Sequence, residues 1–238
     1  MTPAPPPPTL YARAHRSLSY RGPWRTLLVG FALARYRLRH GFRAPRPHAF
    51  DLEFGTDTVS LSRASEHKGD AALGNGHEPI DTVDFANLMA GLDCDLSSFT
   101  FLDFGSGQGR ALMLASDYPF QRIVGIEHGR ELYQSALANL ARYRNPRQHC
   151  RAIECVWADA AAWEMPAVPT VFYFCEPFRE PMLRRMAARV RASLQAAPRP
   201  AYVLYVGELR RVWEEAGGFE PVATSYWTCI YRWQAPRS

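Results

Sequence analysis

Three carboxylates and a run of glycines, each at a telling distance from the others, carry the chemistry of this chain. The stretch Phe101-Leu102-Asp103-Phe104-Gly105-Ser106-Gly107-Gln108-Gly109-Arg110 follows an apolar strand-like run and opens a helical one, the context in which a glycine-rich loop acquires meaning. Glycines there let the backbone turn sharply and approach a ligand with no Cβ in the way. The helix behind them presents free N–H groups and a positive dipole end. The spacing is GxGxG, with Ser106 between the first two glycines and Asp103 two residues ahead. A dinucleotide loop reads GxGxxG, and Asp103 would face its pyrophosphate unfavourably. An acid at that position suits a ligand carrying an ammonium group.

Two further acids complete the pattern. Glu127 ends Ile123-Val124-Gly125-Ile126-Glu127, about 20 residues beyond the loop, where a carboxylate accepts hydrogen bonds from both hydroxyls of a ribose. Asp159 closes Cys155-Val156-Trp157-Ala158-Asp159 and is set to accept a bond from an adenine amino group, with Trp157 or Ala158 against the purine. Ammonium, ribose and adenine together describe S-adenosylmethionine.

On these motifs, residues 79–206 resemble the class I S-adenosylmethionine-dependent methyltransferases, whose first motif has the form (D/E)xGxGxG. The resemblance implies that Gly105, Gly107 and Gly109 shape the cofactor loop, that Glu127 holds the ribose and that Asp159 holds the adenine. Phe174-Cys175-Glu176-Pro177-Phe178 resembles the point at which amine methyltransferases carry Asn or Asp, then proline, then an aromatic. Glu176 departs from that pattern. It orients or deprotonates an ammonium but lacks an amide's donor, and it is the candidate catalytic residue. Upstream, His77-Glu78-Pro79-Ile80 and Phe54-Gly55-Thr56-Asp57-Thr58 are similar to segments of an uncharacterised bacterial methyltransferase family. That family is distantly similar to the Dot1-like and mitochondrial lysine methyltransferases. The likeness implies that Glu78 reaches the methionine end of the cofactor, with His77 and Thr56 as further candidates. His128 and His149 read as surface histidines.

Around these residues the chain alternates regularly. Strand-like runs at Phe99–Phe104, Arg122–Ile126, Ala152–Trp157, Val171–Cys175 and Ala201–Val206 are interleaved with helical patterns at 81–92, 110–117, 131–143, 180–195 and 208–216. An aromatic β-like tail spans 225–233. Such alternation predicts an α/β, Rossmann-like, mainly parallel sheet with helices on both faces. Residues 41–78, broken by glycine and proline, read as irregular.

The formal charge of +5 divides unevenly: residues 1–50 hold nine arginines and no acid, and the remainder carries a net −4. That balance argues against nucleic acid lying across the main domain. Residues 1–48 read as a proline-rich tail followed by a basic amphipathic helix, with Trp24, Leu27, Leu28, Phe31 and Leu38 at helical spacing. The helix suits either packing on the catalytic domain, taken as 49–238, or peripheral contact with an anionic membrane. Five cysteines without a CxxC pair read as reduced thiols, with no metal site and a cytoplasmic location. The leading expectation is methyl transfer to an amine nitrogen of a protein lysine or a small molecule. O- or C-methylation of a small molecule, and a non-catalytic adenosylmethionine-binding module, remain as alternatives.

Overall fold

The computed structural model describes residues 23–24, 26–35, 37–38, 48–60 and 79–234. The chain divides into two compact units, Met1–Thr56 and Asp57–Ser238.

In the first unit, residues 26–35 form helix α1. The apolar stripe of Trp24, Leu27, Leu28, Phe31 and Leu38, on this helix and its helical flanks, is 50 to 83 % exposed. A six-residue helix, α2 (Ala49–Phe54), follows, with the His48 ring accepting the Phe50 N–H and Gly55 ending it at φ 69°. The sequence reads this region as irregular; α2 is too short to show a helical period.

The second unit holds seven strands: β1 (Thr100–Phe104), β2 (Arg122–Glu127), β3 (Ile153–Trp157), β4 (Thr170–Cys175), β5 (Ala201–Val206), β6 (Phe219–Thr224) and β7 (Thr228–Trp233). They form one sheet in the order β3-β2-β1-β4-β5-β7-β6. β1 to β5 are parallel, while β7 runs antiparallel to β5 and to β6. Helices α3 (Thr82–Ala90), α4 (Arg110–Ala115), α5 (Arg130–Arg142), α6 (Glu180–Ala196) and α7 (Arg211–Ala216) accompany the strands. Chain order reverses between β1 and β4, which opens a crevice at the carboxyl ends of these strands.

The central strands are covered on both sides, so Thr100–Phe104 and Ala201–Val206 are buried without alternation. One cluster joins Phe104, Phe174, Val203 and Tyr231 to Met182, Leu183, Met186 and Val190 of α6 and Trp213 of α7. The α6 residues recur at helical spacing and make its buried stripe. A separate ring cluster joins Phe85 of α3 to Phe101 and Tyr173 at centroid separations of 6.0 and 5.8 Å. Truncating such a ring to Ala costs about 3–5 kcal/mol.

In the tail read as β-like from Ser225 to Trp233, only Thr228–Trp233 is strand, the second arm of a hairpin whose first arm, β6, the sequence does not announce; residues 225–227 make its turn. β6 contains Pro221, is exposed after Phe219 and carries a register shift between Pro221 and Ala223. These are the marks of an edge strand. The five cysteines are all free, with Cys150, Cys155 and Cys229 buried.

Candidate cofactor and acceptor site

The glycine loop leaves β1 at the crevice and is tied to β2 by backbone. The N–H groups of Gly105 and Ser106 both donate to the Ile126 carbonyl, at 2.9 and 3.1 Å. Gly105, Gly107 and Gly109 stand at φ 83°, 54° and 84°, in the left-handed region that side chains other than Asn and Asp seldom enter. Gly109 is the N-cap of α4.

Glu127, at the end of β2, braces this loop. Its Oε2 accepts the Gly107 N–H at 2.8 Å and its Oε1 accepts the Gly129 N–H at 2.6 Å. Burial raises its pKa, against the two N–H groups, which lower it. A carboxylate oxygen retains a second lone-pair direction, so these bonds leave acceptor capacity toward the crevice. Asp103 lies beneath the loop, 2 % exposed and level with Tyr173 of β4. Burial holds its carboxyl well above the usual range, and the nearby Glu127 charge adds to this. Ser106 is buried with its hydroxyl 3.5 Å from the Cys155 sulfur, and burial pushes that thiol up to about 12.

Asp159 is exposed just past β3, with Oδ1 accepting the Ala161 N–H at 2.8 Å. Trp157 beside it is half exposed; its Nε1 donates to the His128 carbonyl at 2.8 Å, and the Arg130 guanidinium lies 5.5 Å from the ring centroid. Asp103, the glycine loop, Glu127 and Asp159 thus share the carboxyl edge of β1, β2 and β3.

At the end of β4, Glu176 has φ 43°, the one positive value among described residues other than glycine. Strain of this kind costs about 1–3 kcal/mol and persists where its surroundings over-determine it. Here the Glu176 N–H is held by the Val206 carbonyl at 2.9 Å. Pro177 packs on the glycine loop so closely that a Cβ at Gly105 would come within 2.6 Å of the Pro177 Cβ. The loop and the Glu176 turn therefore touch. Phe178 packs edge-on against Phe174, at 6.4 Å, on the core cluster.

The sequence does not reveal a polar network behind the loop. Gln108, fully buried, donates from Nε2 to the Asp57 carbonyl and the Ser135 hydroxyl at 2.7 and 2.9 Å. Asn139 of α5 donates to the carbonyls of Asp57 and Gln108 and accepts the Asp57 N–H. Arg110, 2 % exposed, donates to the Thr58 hydroxyl and the Ile80 carbonyl. The available signal was Asn139 itself, a polar residue at helical spacing from the buried Ala136 and Tyr143. Thr56, in the N-terminal unit, donates to Asp51 at 2.8 Å. His77 and Glu78 lie outside the described residues. His128 and His149 are exposed.

No protein-family model matches the chain, and no characterised protein matches its sequence significantly. Solved structures do match in shape. A predicted N6-adenine-specific DNA methylase from Listeria monocytogenes aligns with TM-score 0.50 and 16 % identity, over 68 % of this chain and 53 % of that one. An RNA methyltransferase from Salinibacter ruber, bound to S-adenosyl-L-homocysteine, aligns with TM-score 0.46 and 16 % identity, over 68 % and 98 %. A tRNA (m1A58) methyltransferase from Aquifex aeolicus aligns with TM-score 0.48 and 16 % identity, over 69 % and 73 %. With its glycine loop after β1 and a mostly parallel seven-stranded sheet, the chain has the Rossmann-like fold of the class I S-adenosylmethionine-dependent methyltransferases.

Proposed function

We propose that this protein is an S-adenosylmethionine-dependent methyltransferase acting on an amine nitrogen, of a protein lysine or of a small molecule. The residues at the crevice fit the cofactor. The loop has no Cβ at its three glycines, Glu127 retains acceptor capacity beside it, Asp159 leaves Oδ2 beyond its own cap, and the buried Asp103 carboxyl, once ionised, would be matched by the cofactor's ammonium. When bound, the cofactor supplies an activated methyl group on a sulfonium.

What remains for the chain is to hold an acceptor lone pair on axis, exclude water and take a proton. Glu176 is the residue we assign to the proton. The observation that carries the amine reading is its strained backbone at the end of β4, against the loop through Pro177. A carboxylate attracts an ammonium and accepts its proton, whereas a hydroxyl or carbon acceptor offers it no positive charge to attract.

Calorimetry with S-adenosylmethionine, S-adenosylhomocysteine and NAD tests the cofactor assignment: the first two should bind and NAD should not. Mass spectrometry of a cell lysate incubated with the protein and methyl-labelled cofactor then separates protein from small-molecule acceptors. The solved structures of similar shape include enzymes named for RNA, DNA and tRNA. Nucleic acid therefore belongs among the acceptors screened, and the sequence-based expectation against it gains no support from the fold.

The N-terminal unit supports a second assignment, peripheral contact of α1 with anionic lipid. Five large apolar side chains stand exposed on one stripe, within a 50-residue stretch holding nine arginines and no acid. Phosphates alone would need the arginines and not the stripe. Among the described residues no helix is long and apolar enough to cross a membrane. Full-length protein should sediment with anionic vesicles at low salt, and Leu27→Glu with Phe31→Glu should abolish it. Equal sedimentation of the variant sinks the lipid assignment.

A further inference from the structure

We infer that the aromatic tip of the β6–β7 hairpin, Tyr226 and Trp227, works with Glu176 to recognise the acceptor as an alkylammonium ion. The inference rests on the amine-methyltransferase reading and names the groups that would hold the acceptor.

The sheet brings the hairpin tip to the crevice end. β7 is antiparallel to β5 and pairs Thr228 with Val206, so the turn before it lies at the carboxyl end of β5. Two consecutive residues there tie the carboxylate to the aromatic pair. The Val206 carbonyl holds the Glu176 N–H at 2.9 Å, and the Gly207 N–H donates to the Trp227 carbonyl at 2.9 Å. The Glu176 side chain runs across Gly207: a Cβ there would fall 2.4 Å from Glu176 Cγ and 2.9 Å from its Oε1. The carboxylate and the hairpin tip are thus neighbours on one backbone step.

Neither ring belongs to the buried core of the described residues. Tyr226 is 76 % exposed and Trp227 37 %, stacked on each other at 6.3 Å and 20°. The turn is already made by Ser225, whose hydroxyl bonds the Thr228 hydroxyl and accepts the N–H groups of Trp227 and Thr228. Exposed aromatic surface at a loop tip that the loop does not need is better matched to a ligand. Phe178, the aromatic that follows the Glu176–Pro177 turn, is packed on Phe174 and the core. The hairpin supplies two further rings at the crevice end.

The chemistry selects a cation. An ammonium gains from the face of a Trp or Tyr ring as well as from a carboxylate, by several-fold in affinity when desolvated. A neutral hydroxyl or carbon acceptor gains little from either. The exposed Glu208 adds a second acid beside Gly207. Arg210, the cation close by, reaches the Ser225 carbonyl at 3.5 Å.

The test uses the full-length protein saturated with S-adenosylhomocysteine and follows two probes by NMR titration, n-butylammonium and the neutral n-butanol. n-Butylammonium should saturate and n-butanol should not. Tyr226→Ala with Trp227→Ala should weaken n-butylammonium about tenfold, Glu176→Gln should weaken it comparably, and Trp227→Phe, which keeps a ring, should retain most of the affinity. Unchanged melting temperatures show that the variants keep their fold. Equal binding of n-butanol, or an unaltered affinity in the double variant, overturns the inference. Protein that binds S-adenosylhomocysteine but shows no n-butylammonium saturation sinks the aromatic assignment alone. Protein that fails to bind S-adenosylhomocysteine sinks the methyltransferase reading, and this inference with it.

Discussion

Asn139 and Asp57, 82 residues apart, exchange a pair of hydrogen bonds: the Asp57 N–H donates to Asn139 Oδ1 at 2.9 Å, and Asn139 Nδ2 donates to the Asp57 carbonyl at 2.7 Å. The amide of one side chain thus does for Asp57 what a neighbouring strand would do. Because Nδ2 also donates to the Gln108 carbonyl at 3.0 Å, the same residue fixes the segment at 57–58 to the glycine loop.

Asn139→Ala should therefore destabilise the protein by about 3 kcal/mol, since three bonds vanish and buried backbone groups lose their partner. Urea unfolding gives the number. A loss under about 0.5 kcal/mol, the range of an ordinary surface change, would mean that the segment is not held there in solution.

Glu127→Gln should weaken cofactor binding by about 10- to 100-fold, as expected when hydrogen bonds made by a charged group are lost. The side-chain amide would have to turn a donor toward either the Gly107 N–H or the Gly129 N–H. Turnover at saturating cofactor should change much less, because ribose contacts are similar before and during transfer. Gly107→Val should go further and abolish binding, since a β-branched residue at φ 54° strains the loop. Calorimetry checks both variants.

Cofactor affinity should rise with pH. With its folded pKa raised, Asp103 keeps its proton through an interval in which the unfolded chain has already lost it. In that interval the unfolded state binds fewer protons, so the stability of the ligand-free protein falls as pH climbs from the ordinary carboxylate range to the raised value. A bound cation favours the ionised form, so binding within the interval should release a proton. Calorimetry in two buffers of different ionisation enthalpy measures that release, and Asp103→Asn should remove it. Binding without proton exchange in the wild type would place the cofactor's ammonium away from Asp103.

Glu176→Gln should keep cofactor binding and lower turnover by roughly 100- to 10,000-fold, the usual contribution of a general base. Gln preserves size and one acceptor oxygen, so charge is what changes. Steady-state methyl transfer, once an acceptor is found, is the measurement. Wild-type turnover in this variant would leave Glu176 as a strand-end acid with no part in catalysis.

The elements that were legible in the sequence are those whose burial is one-sided or complete. β1, β4 and β5 are continuous apolar runs because helices cover both their faces, and α6 shows its stripe of Met182, Met186, Val190 and Leu194. β6 escaped because five exposed residues, Pro221 among them, give it neither alternation nor an apolar run. At the site, the acids were legible because each lies at or just beyond the carboxyl end of a strand that could be read. Their bonding was not: nothing local in the sequence marks Glu127 as the acceptor for the Gly107 N–H. Gln108 sits at a variable position of the glycine motif, and Asn139 meets Asp57 only through the tertiary fold. The hairpin tip stayed hidden with β6, since without the first arm Tyr226 and Trp227 read as part of the β-like tail and not as a turn.

The proline in β6 also decides how the sheet can meet other chains. A sheet that ends in an open strand offers its unpaired N–H and C=O groups to any extended peptide. Here the outer row is interrupted at Pro221, which has no N–H to give, and the shift between Pro221 and Ala223 bends the row out of register. A second copy laid alongside could not continue the ladder through that point. Pro221 and the register shift beside it are thus the two obstacles to edge pairing on this flank, and Pro221→Val should cost solubility before it costs fold.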